Sequence, residues 1–209
     1  GKPLFDYAAE SAKAKESQSD ALKALLKEAS EADKGGAEWK EWIGGHYETA
    51  FSCNPIWDAD YKELPVHPVT RGVKPFRTKD EWYFNMRFRD GMEGVTPLLS
   101  ALAPAETMSR GDGPHSGNPD VKKLVLEEKK PAVVAWAVER KDGGRGFGFT
   151  GGHYHAGWAN DSQRTLVLNA IVWTAKAEVP AAGVATKFTE EELKANLDKK
   201  TPRKAPKKK

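Results

Sequence analysis

The sequence contains a single cysteine, Cys53, among its 209 residues. One thiol cannot form an intramolecular disulfide, and it cannot supply a zinc site built from several cysteines. The surrounding Ser52-Cys53-Asn54 string lacks the glycines of a strained nucleophile turn, so we expect a buried, inert thiol. No apolar run approaches the roughly 20 residues that a membrane helix needs. The sequence therefore predicts no membrane partner, and it does not specify a compartment.

Residues 1–42 contain no Val, Ile or Thr. Strands favour β-branched residues, so their absence argues against a strand in this part of the chain. The spacing of Leu22, Leu25, Leu26 and Ala29 is that of one helix face. We predict a helical N-terminal segment over residues 1–42, with a further short helical stretch over residues 37–43 at its end.

The positive charge of the chain is concentrated at its C-terminus. The net charge is +3, but seven Lys and Arg residues stand in residues 199–209, so the rest of the chain is net acidic. A nucleic-acid interface should spread its basic residues over a folded face. The sequence does not favour nucleic acid as a partner. We expect residues 199–209 to form a disordered basic tail, with anion or nucleic-acid contact through it as an alternative function.

The strand and helix patterns in the middle of the chain predict an α/β domain over residues 43–180. Strand character is found in four segments: residues 81–88, 95–102, 131–139 and 146–150. A helix should follow, capped by Asp161 or Ser162, with an apolar face made by Leu166, Ala170, Ile171 and Trp173. Residues 181–198 should form a linker and a short helix that Thr189 begins, with Glu192 in capping-box spacing.

The Gly151-Gly152-His153-Tyr154-His155 string is the main candidate for a functional centre. It follows a predicted strand and precedes a predicted helix, which is where open α/β sheets bind ligands. Histidine can act as a general acid or base, bind a ligand or bind a metal, and it can also have a purely structural role. A metal site needs three or four ligands. Asp161, Glu48 or His46 could complete one, but the spacing gives weak support, and we predict no metal site.

Two further strings add candidate residues. Gly44-Gly45-His46-Tyr47-Glu48 repeats the Gly-Gly-His-Tyr order of residues 151–154. The two loops either face one pocket or resemble each other by chance. Asp80-Glu81-Trp82-Tyr83 combines carboxylates with aromatic rings, as sugar sites do, and it is equally compatible with a core strand that has charged ends. Glu48 and Glu81 are the carboxylate pair available for glycoside hydrolysis, which needs two facing carboxylates.

Five strings together resemble the ThuA-like (trehalose-utilisation) family. These strings are Trp42–Glu48, His67–Gly72, Asp80–Tyr83, Val134–Trp136 and Gly148–His153. They occur in order over about residues 42–180. The resemblance implies a flavodoxin-like three-layer α/β sandwich, similar to class I glutamine amidotransferase domains. It also implies a role in bacterial sugar metabolism with a trehalose or keto-sugar ligand. The amidotransferase relatives use a nucleophilic cysteine that is not found in that context here.

The first functional hypothesis is therefore a protein that acts on a small-molecule carbohydrate. Four residues are the candidate acid–base groups: His153, His155, His46 and Glu81. Six more are candidates for shaping the pocket: Tyr47, Glu48, Tyr83, Trp158, Gly151 and Gly152. The alternative is a non-catalytic carbohydrate-binding or accessory domain. Nothing in the sequence indicates a cofactor.

The first strands of the family are the main departure. Residues 1–42 contain no run that matches the opening βαβ unit, so a sheet built from the remaining strands would expose an edge and an apolar face. We expect the N-terminal helices, a second copy of the chain or a partner chain to cover this surface.

Overall fold

The computed structural model describes residues 36–195 and residue 197. The predicted helix through Leu22 and Leu26, and the predicted basic tail over residues 199–209, lie outside the described residues. Within them the chain is a mixed α/β protein with several small antiparallel sheets. None of its described helices is both long enough and apolar enough to cross a membrane.

The described residues contain seven strands and four α-helices. The strands are β1 (Gly45–His46), β2 (Trp57–Tyr61), β3 (Phe76–Asp80), β4 (Arg87–Phe88), β5 (Val95–Ala101), β6 (Ala132–Glu139) and β7 (Arg145–Phe149). The helices are α1 (Gly36–Ile43), α2 (Pro119–Lys122), α3 (Asp161–Thr174) and α4 (Glu190–Lys194).

The largest sheet has the order β5-β6-β7 and confirms three of the predicted strands. Its central strand, β6, is almost entirely buried, as its continuous apolar sequence requires. Trp136 and Val138 pack with Ile43 of α1, whereas Ala135 and Ala137 belong to the cluster that contains Trp173 of α3. Successive side chains of a strand point to opposite faces, so helices cover both faces of this sheet.

All strand pairs of the described residues are antiparallel. A flavodoxin-like sheet is built on parallel strands joined by crossover helices. The observed pairing shows the α/β class, and the three-layer flavodoxin-like sandwich remains a prediction.

The sequence patterns did not predict the β2–β3 pair. Trp57 pairs with Asp80 and Tyr61 pairs with Phe76. Trp57, Ala59 and Tyr61 are buried, and the residues between them are exposed aspartates. Aspartate is disfavoured in strands, so the propensity of this segment obscures a regular two-residue alternation.

The predicted strand over residues 81–88 is wrong for most of its length. Only Arg87 and Phe88 form a strand, and Glu81, where the strand was expected to begin, follows the end of β3 at Asp80. Asn85 has a φ of +57°, in the left-handed region, so the backbone cannot stay extended through it. The alternation that suggested a strand comes from burial in an irregular segment, because Trp82 and Phe84 are both in the core.

The predicted helical stretch over residues 37–43 is confirmed by α1. The carbonyls at the end of a helix lack a full set of partners within it, and here side chains from outside the helix donate to them. Arg89 Nε donates to the Lys40 carbonyl at 2.6 Å, and Trp136 Nε1 donates to the Ile43 carbonyl at 2.5 Å. Gly44, at a φ of +83°, ends the helix. These contacts fix α1 against the sheet.

The helix predicted after residue 160 is confirmed by α3, with two corrections. Asn160 is the cap, because its side chain accepts from the Gln163 N–H at 3.1 Å; neither Asp161 nor Ser162 has this role. Ile171 is 60% exposed and does not belong to the apolar face.

The predicted capping box at Thr189 and Glu192 is also confirmed. Thr189 Oγ1 accepts from the Glu192 N–H at 3.1 Å, and Glu192 Oε2 accepts from the Thr189 N–H at 2.7 Å. The helix that it begins, α4, ends at Lys194, so it is shorter than predicted.

His67 caps a 3₁₀ turn over Pro68–Thr70 by accepting from the Val69 N–H through Nδ1 at 3.1 Å. Its ring packs edge-on against Trp173, with the centroids 4.9 Å apart. Burial lowers the pKa of His67 below its ordinary value, with opposing contributions from Glu139 and Arg145. The neutral ring is therefore the form that the fold requires, because protonation of Nδ1 would remove the acceptor.

We predict that His67 contributes to a loss of stability in mild acid. The folded protein binds the His67 proton less readily than the unfolded chain does. This contribution is therefore present above the unfolded pKa of about 6.5 and is lost as the pH falls through the lower folded pKa. His67→Asn keeps a capping acceptor and does not titrate. Urea denaturation at about pH 7.5 and about pH 5.5 should show a smaller decrease for this variant than for the wild type. Equal decreases would contradict the assignment.

Candidate functional site

An open cleft of about 720 Å³ lies beside the end of β7. Six of the predicted site residues line it: His46, Tyr47, Tyr83, Gly151, Gly152 and His153. The two Gly-Gly-His-Tyr strings therefore do face one cleft, as the first of the two sequence alternatives proposed.

The glycines of the loop after β7 are required by their surroundings. A Cβ on Gly151 would lie 2.3 Å from Trp82 Cζ3, in the place that the buried indole ring occupies. Gly152 has a φ of +95°, which L side chains rarely adopt. This pair lets the chain turn sharply and carries His153 to the rim of the cleft.

Asp80 holds this loop in place. Its side chain is fully buried and accepts three backbone N–H groups. The donor–acceptor distances are 2.8 Å from Glu81, 2.7 Å from Gly152 and 3.1 Å from Tyr154. A buried carboxylate is stable only when such donors replace water. Asp80 thus joins the end of β3 to the loop that carries His153.

The neighbouring carboxylate, Glu81, is the centre of a polar cluster at the rim of the cleft. His153 Nδ1 lies 3.0 Å from Glu81 Oε2, and the Tyr83 hydroxyl donates to the same oxygen at 3.1 Å. Asn54 Nδ2 donates to Glu81 Oε1 at 3.1 Å. The Glu81 side chain is 16% exposed and that of His153 is 53% exposed.

This geometry assigns the protons of the cluster. A carboxylate only accepts, so the Nδ1 atom of His153 carries the hydrogen, and in the neutral ring Nε2 is the basic nitrogen. Burial raises the pKa of Tyr83, and the charge of Glu81 raises it further, so the phenol stays protonated and donates. The cluster therefore presents a carboxylate-oriented imidazole, the arrangement by which a histidine becomes a general base.

His46 lies in the same cleft in a different environment. Burial lowers its pKa, and the charge of Lys40 lowers it further, so the ring is neutral near pH 7. Its Nδ1 atom is buried and has no hydrogen-bond partner among the described residues. Its Nε2 atom is 4.0 Å from a Glu48 oxygen.

Glu48 does not line the cleft. Both of its oxygens accept from Arg87, at 2.8 Å from Nε and 3.2 Å from the terminal nitrogen. This hydrogen bonding lowers the pKa of Glu48 and keeps it ionised. Glu48 and Glu81 thus have separate partners.

Tyr47 links the cleft to the loop that contains His115. Its hydroxyl lies 2.8 Å from His115 Nδ1, and its ring meets Tyr83 edge-on at 5.5 Å. Burial raises the pKa of Tyr47 to about 12, so the hydroxyl keeps its proton at all ordinary pH values. Tyr47 serves the cleft as a wall and a hydrogen-bonding group.

Two predicted site residues lie elsewhere. The Nε2 atom of His155 is 2.6 Å from the Leu193 carbonyl, so it carries a hydrogen and binds the C-terminal helix α4. Trp158 packs beside Phe149, with ring centroids 6.2 Å apart, and supports the loop at Gly152. Neither residue lines the cleft.

The sequence patterns missed several residues of the site. Asp80 belongs to a string that we singled out, but nothing in its spacing distinguished it from Glu81. Asn54 reaches Glu81 and His115 reaches Tyr47 from segments distant in sequence, and long-range contacts of this kind leave no local pattern. Aromatic residues from α1 and β7 complete the cleft wall: Trp39, Phe147 and Phe149.

Other parts of the described chain offer less chemistry. No group of three or more His, Cys, Asp or Glu side chains in residues 36–195 could hold a metal ion. A smaller pocket of about 280 Å³ is mainly apolar, and Lys130 is its one ionisable lining residue. Cys53 is fully buried, and burial raises the pKa of its thiol to about 12, so it is not a nucleophile.

The described structure is thus that of an α/β protein with an aromatic-walled cleft and a carboxylate–histidine pair at its rim. The family model ThuA, described as trehalose utilisation, matches residues 24–174. This match covers more than half of the chain, and the protein belongs to the ThuA family. It begins upstream of Trp42, where the resemblance in the sequence motifs starts. No curated protein and no solved structure gives a significant match.

We predict that Asp80 is critical for stability. Asp80→Ala leaves three buried N–H groups without an acceptor and should lower the free energy of unfolding by about 3 kcal/mol or more. Asp80→Asn keeps one carbonyl oxygen and should lose less. Asp58→Ala, on the paired strand and exposed, is the matched control and should change stability by about 0.5 kcal/mol or less. Urea denaturation measures all three, and similar losses for Asp80→Ala and Asp58→Ala would refute this role.

Proposed function

We propose that the cleft binds a carbohydrate and that Glu81 and His153 act on it as an acid–base pair. The observation that carries this proposal is the 3.0 Å contact between Glu81 and His153 Nδ1, at the rim of a cleft walled by aromatic rings. The carboxylate orients the imidazole by accepting the hydrogen of Nδ1. The Nε2 atom is then the group that takes a proton from the ligand and returns it.

The cleft wall suits a sugar. Trp39 is 52% exposed, and the Phe147 and Phe149 rings are nearly parallel, at 14°, with centroids 6.2 Å apart. Aromatic faces can pack against the C–H face of a sugar ring, while hydroxyl groups need polar partners such as those around Glu81. Membership in a family described by trehalose utilisation supports trehalose or a keto-sugar derived from it as the ligand.

Proton transfer is favoured over hydrolysis by two carboxylates. A glycosidase needs a second carboxyl group about 5–10 Å across the bond that it cleaves. Glu48 was the available partner, and Arg87 occupies both of its oxygens. A keto-sugar has acidic C–H groups next to its carbonyl, and a histidine held by a carboxylate can take such a proton while the electron pair moves to the carbonyl oxygen.

We place this activity in bacterial sugar metabolism, on a fold related to class I glutamine amidotransferases. The layering of α1 and α3 on opposite faces of the β5-β6-β7 sheet supports a three-layer sandwich, although its antiparallel strands differ from the parallel strands of a flavodoxin-like sheet.

Sugar binding should depend on the cluster at Glu81. Titration calorimetry with trehalose and with a keto-disaccharide should show binding to the wild type. Glu81→Gln and His153→Gln should each weaken binding by roughly tenfold or more, since hydrogen bonds to charged groups contribute about 1.5–3 kcal/mol. His155→Gln makes the same change outside the cleft and should bind like the wild type. A wild-type protein that binds neither sugar would eliminate the proposal.

Acid–base activity has its own readout. In D₂O, the wild type should exchange the hydrogen next to the carbonyl of a keto-disaccharide for deuterium, because the base removes it and solvent supplies its replacement. His153→Gln should abolish this exchange, which proton NMR follows directly. Binding without exchange would favour the alternative, a non-catalytic carbohydrate-binding domain.

A further inference from the structure

We infer that Asn54 and Arg110 are positioning residues that orient Glu81 and, through it, fix the proton on His153. This inference rests on the proposed role of the Glu81–His153 pair. Asn54 Nδ2 donates to Glu81 Oε1 at 3.1 Å, and Asn54 Oδ1 accepts from Arg110 at 3.2 Å. The four side chains form one continuous line of hydrogen bonds from the surface to the cleft.

The backbone around Asn54 is held on both sides. Cys53 and Phe84 exchange two backbone hydrogen bonds of 3.1 Å, which tie this segment to the one that follows Tyr83. The Asn54 N–H donates to the His115 carbonyl at 3.1 Å. With the backbone fixed, the main freedom left to the side chain is rotation of its amide group.

Arg110 determines the direction of that amide. An asparagine amide has a donor end and an acceptor end, and a half-turn exchanges them. In the observed direction the NH₂ group faces the Glu81 carboxylate and the oxygen faces the Arg110 guanidinium. The reverse direction would place oxygen against carboxylate and NH₂ against guanidinium, so both contacts would be repulsive. A guanidinium always carries its charge, so it provides this constraint at any working pH.

The bond from Asn54 matters because it is the sole described side-chain contact of Glu81 Oε1. The other oxygen, Oε2, accepts hydrogen bonds from both Tyr83 and His153. Without Asn54 only Tyr83 and His153 hold the carboxylate, both at Oε2, so the carboxylate can tilt and its hydrogen bond to the Nδ1 hydrogen weakens. The His153 ring should then sample both neutral tautomers. The population of the tautomer in which Nε2 is free to accept a proton should decrease.

Arg110 also donates to the His115 carbonyl at 3.2 Å. The loop that contains His115 is therefore joined to the same line of hydrogen bonds. The side chain is exposed, and its removal leaves no cavity in the core. Arg110 can therefore be changed with little risk to the fold, which makes it the better test position.

The test is the tautomer of His153, observed by ¹⁵N NMR of the full chain without ligand at about pH 8, where imidazoles are neutral. The wild type should show hydrogen on Nδ1. Arg110→Met and Asn54→Leu should shift His153 toward a mixture of tautomers and slow deuterium exchange of the keto-disaccharide roughly tenfold. Arg110→Lys keeps a cationic donor and should restore much of the Nδ1–H form. Arg77→Met, at an exposed position of β3, is the matched control and should leave the tautomer unchanged.

The outcomes separate the two proposals. A wild-type ring with hydrogen on Nε2 would overturn the Glu81–His153 pair itself and, with it, the proposed function. A wild-type ring with hydrogen on Nδ1 that stays so in Arg110→Met and Asn54→Leu would overturn only the positioning role. If Asn54→Leu does not fold, the comparison of Arg110→Met, Arg110→Lys and Arg77→Met decides the question.

Discussion

Three backbone N–H groups, from Glu81, Gly152 and Tyr154, converge on the buried carboxylate of Asp80. They belong to segments about seventy positions apart in the chain, so this one side chain fixes the relative position of two loops. Glu81 is the residue after Asp80, and His153 lies between the two donors of the second loop. The carboxylate–histidine contact in the cleft is thus a geometric consequence of the buried contact beneath it.

This arrangement separates the support of the site from its chemistry. Asp80 has no exposed surface and cannot reach a ligand, whereas Glu81 and His153 are partly exposed. The strength of the buried contact is what allows the loop to contain two adjacent glycines, which would otherwise cost conformational entropy. Those glycines in turn allow the Trp82 ring to pack directly against the loop backbone. A rigid loop with a half-exposed histidine is what a general base requires, since its reacting atom must be held within a small distance of the substrate.

The sequence predicted those parts of the fold that have local causes. β6 follows from its apolar run, α4 from the Thr189–Glu192 capping box, and the loop after β7 from its two glycines. The strand predicted over residues 81–88 was wrong because burial in an irregular segment imitated strand alternation, and because Asn85, of a residue type that tolerates positive φ, interrupts the extended backbone. For the site, the sequence predicted that residues from separate motifs line one pocket. Six of the ten residues named for it line the cleft. Asn54, Arg110 and His115 could not be predicted, because their roles depend on contacts between segments that are distant in sequence.

The two Gly-Gly-His-Tyr strings show why a motif does not determine a role. Both place a histidine in the same cleft, but His153 is half-exposed and meets a carboxylate at 3.0 Å, whereas His46 is mostly buried and its nearest carboxylate oxygen is 4.0 Å away. Arg87 holds that second carboxylate, Glu48, and so diverts it from His46. Burial then lowers the pKa of His46 and favours its neutral form. One string therefore gives a histidine that is hydrogen-bonded to a carboxylate, and the other gives a neutral histidine in the wall of the cleft. The difference arises from the neighbours that the fold supplies: Glu81 has no cationic partner other than His153, whereas Glu48 is bound by Arg87.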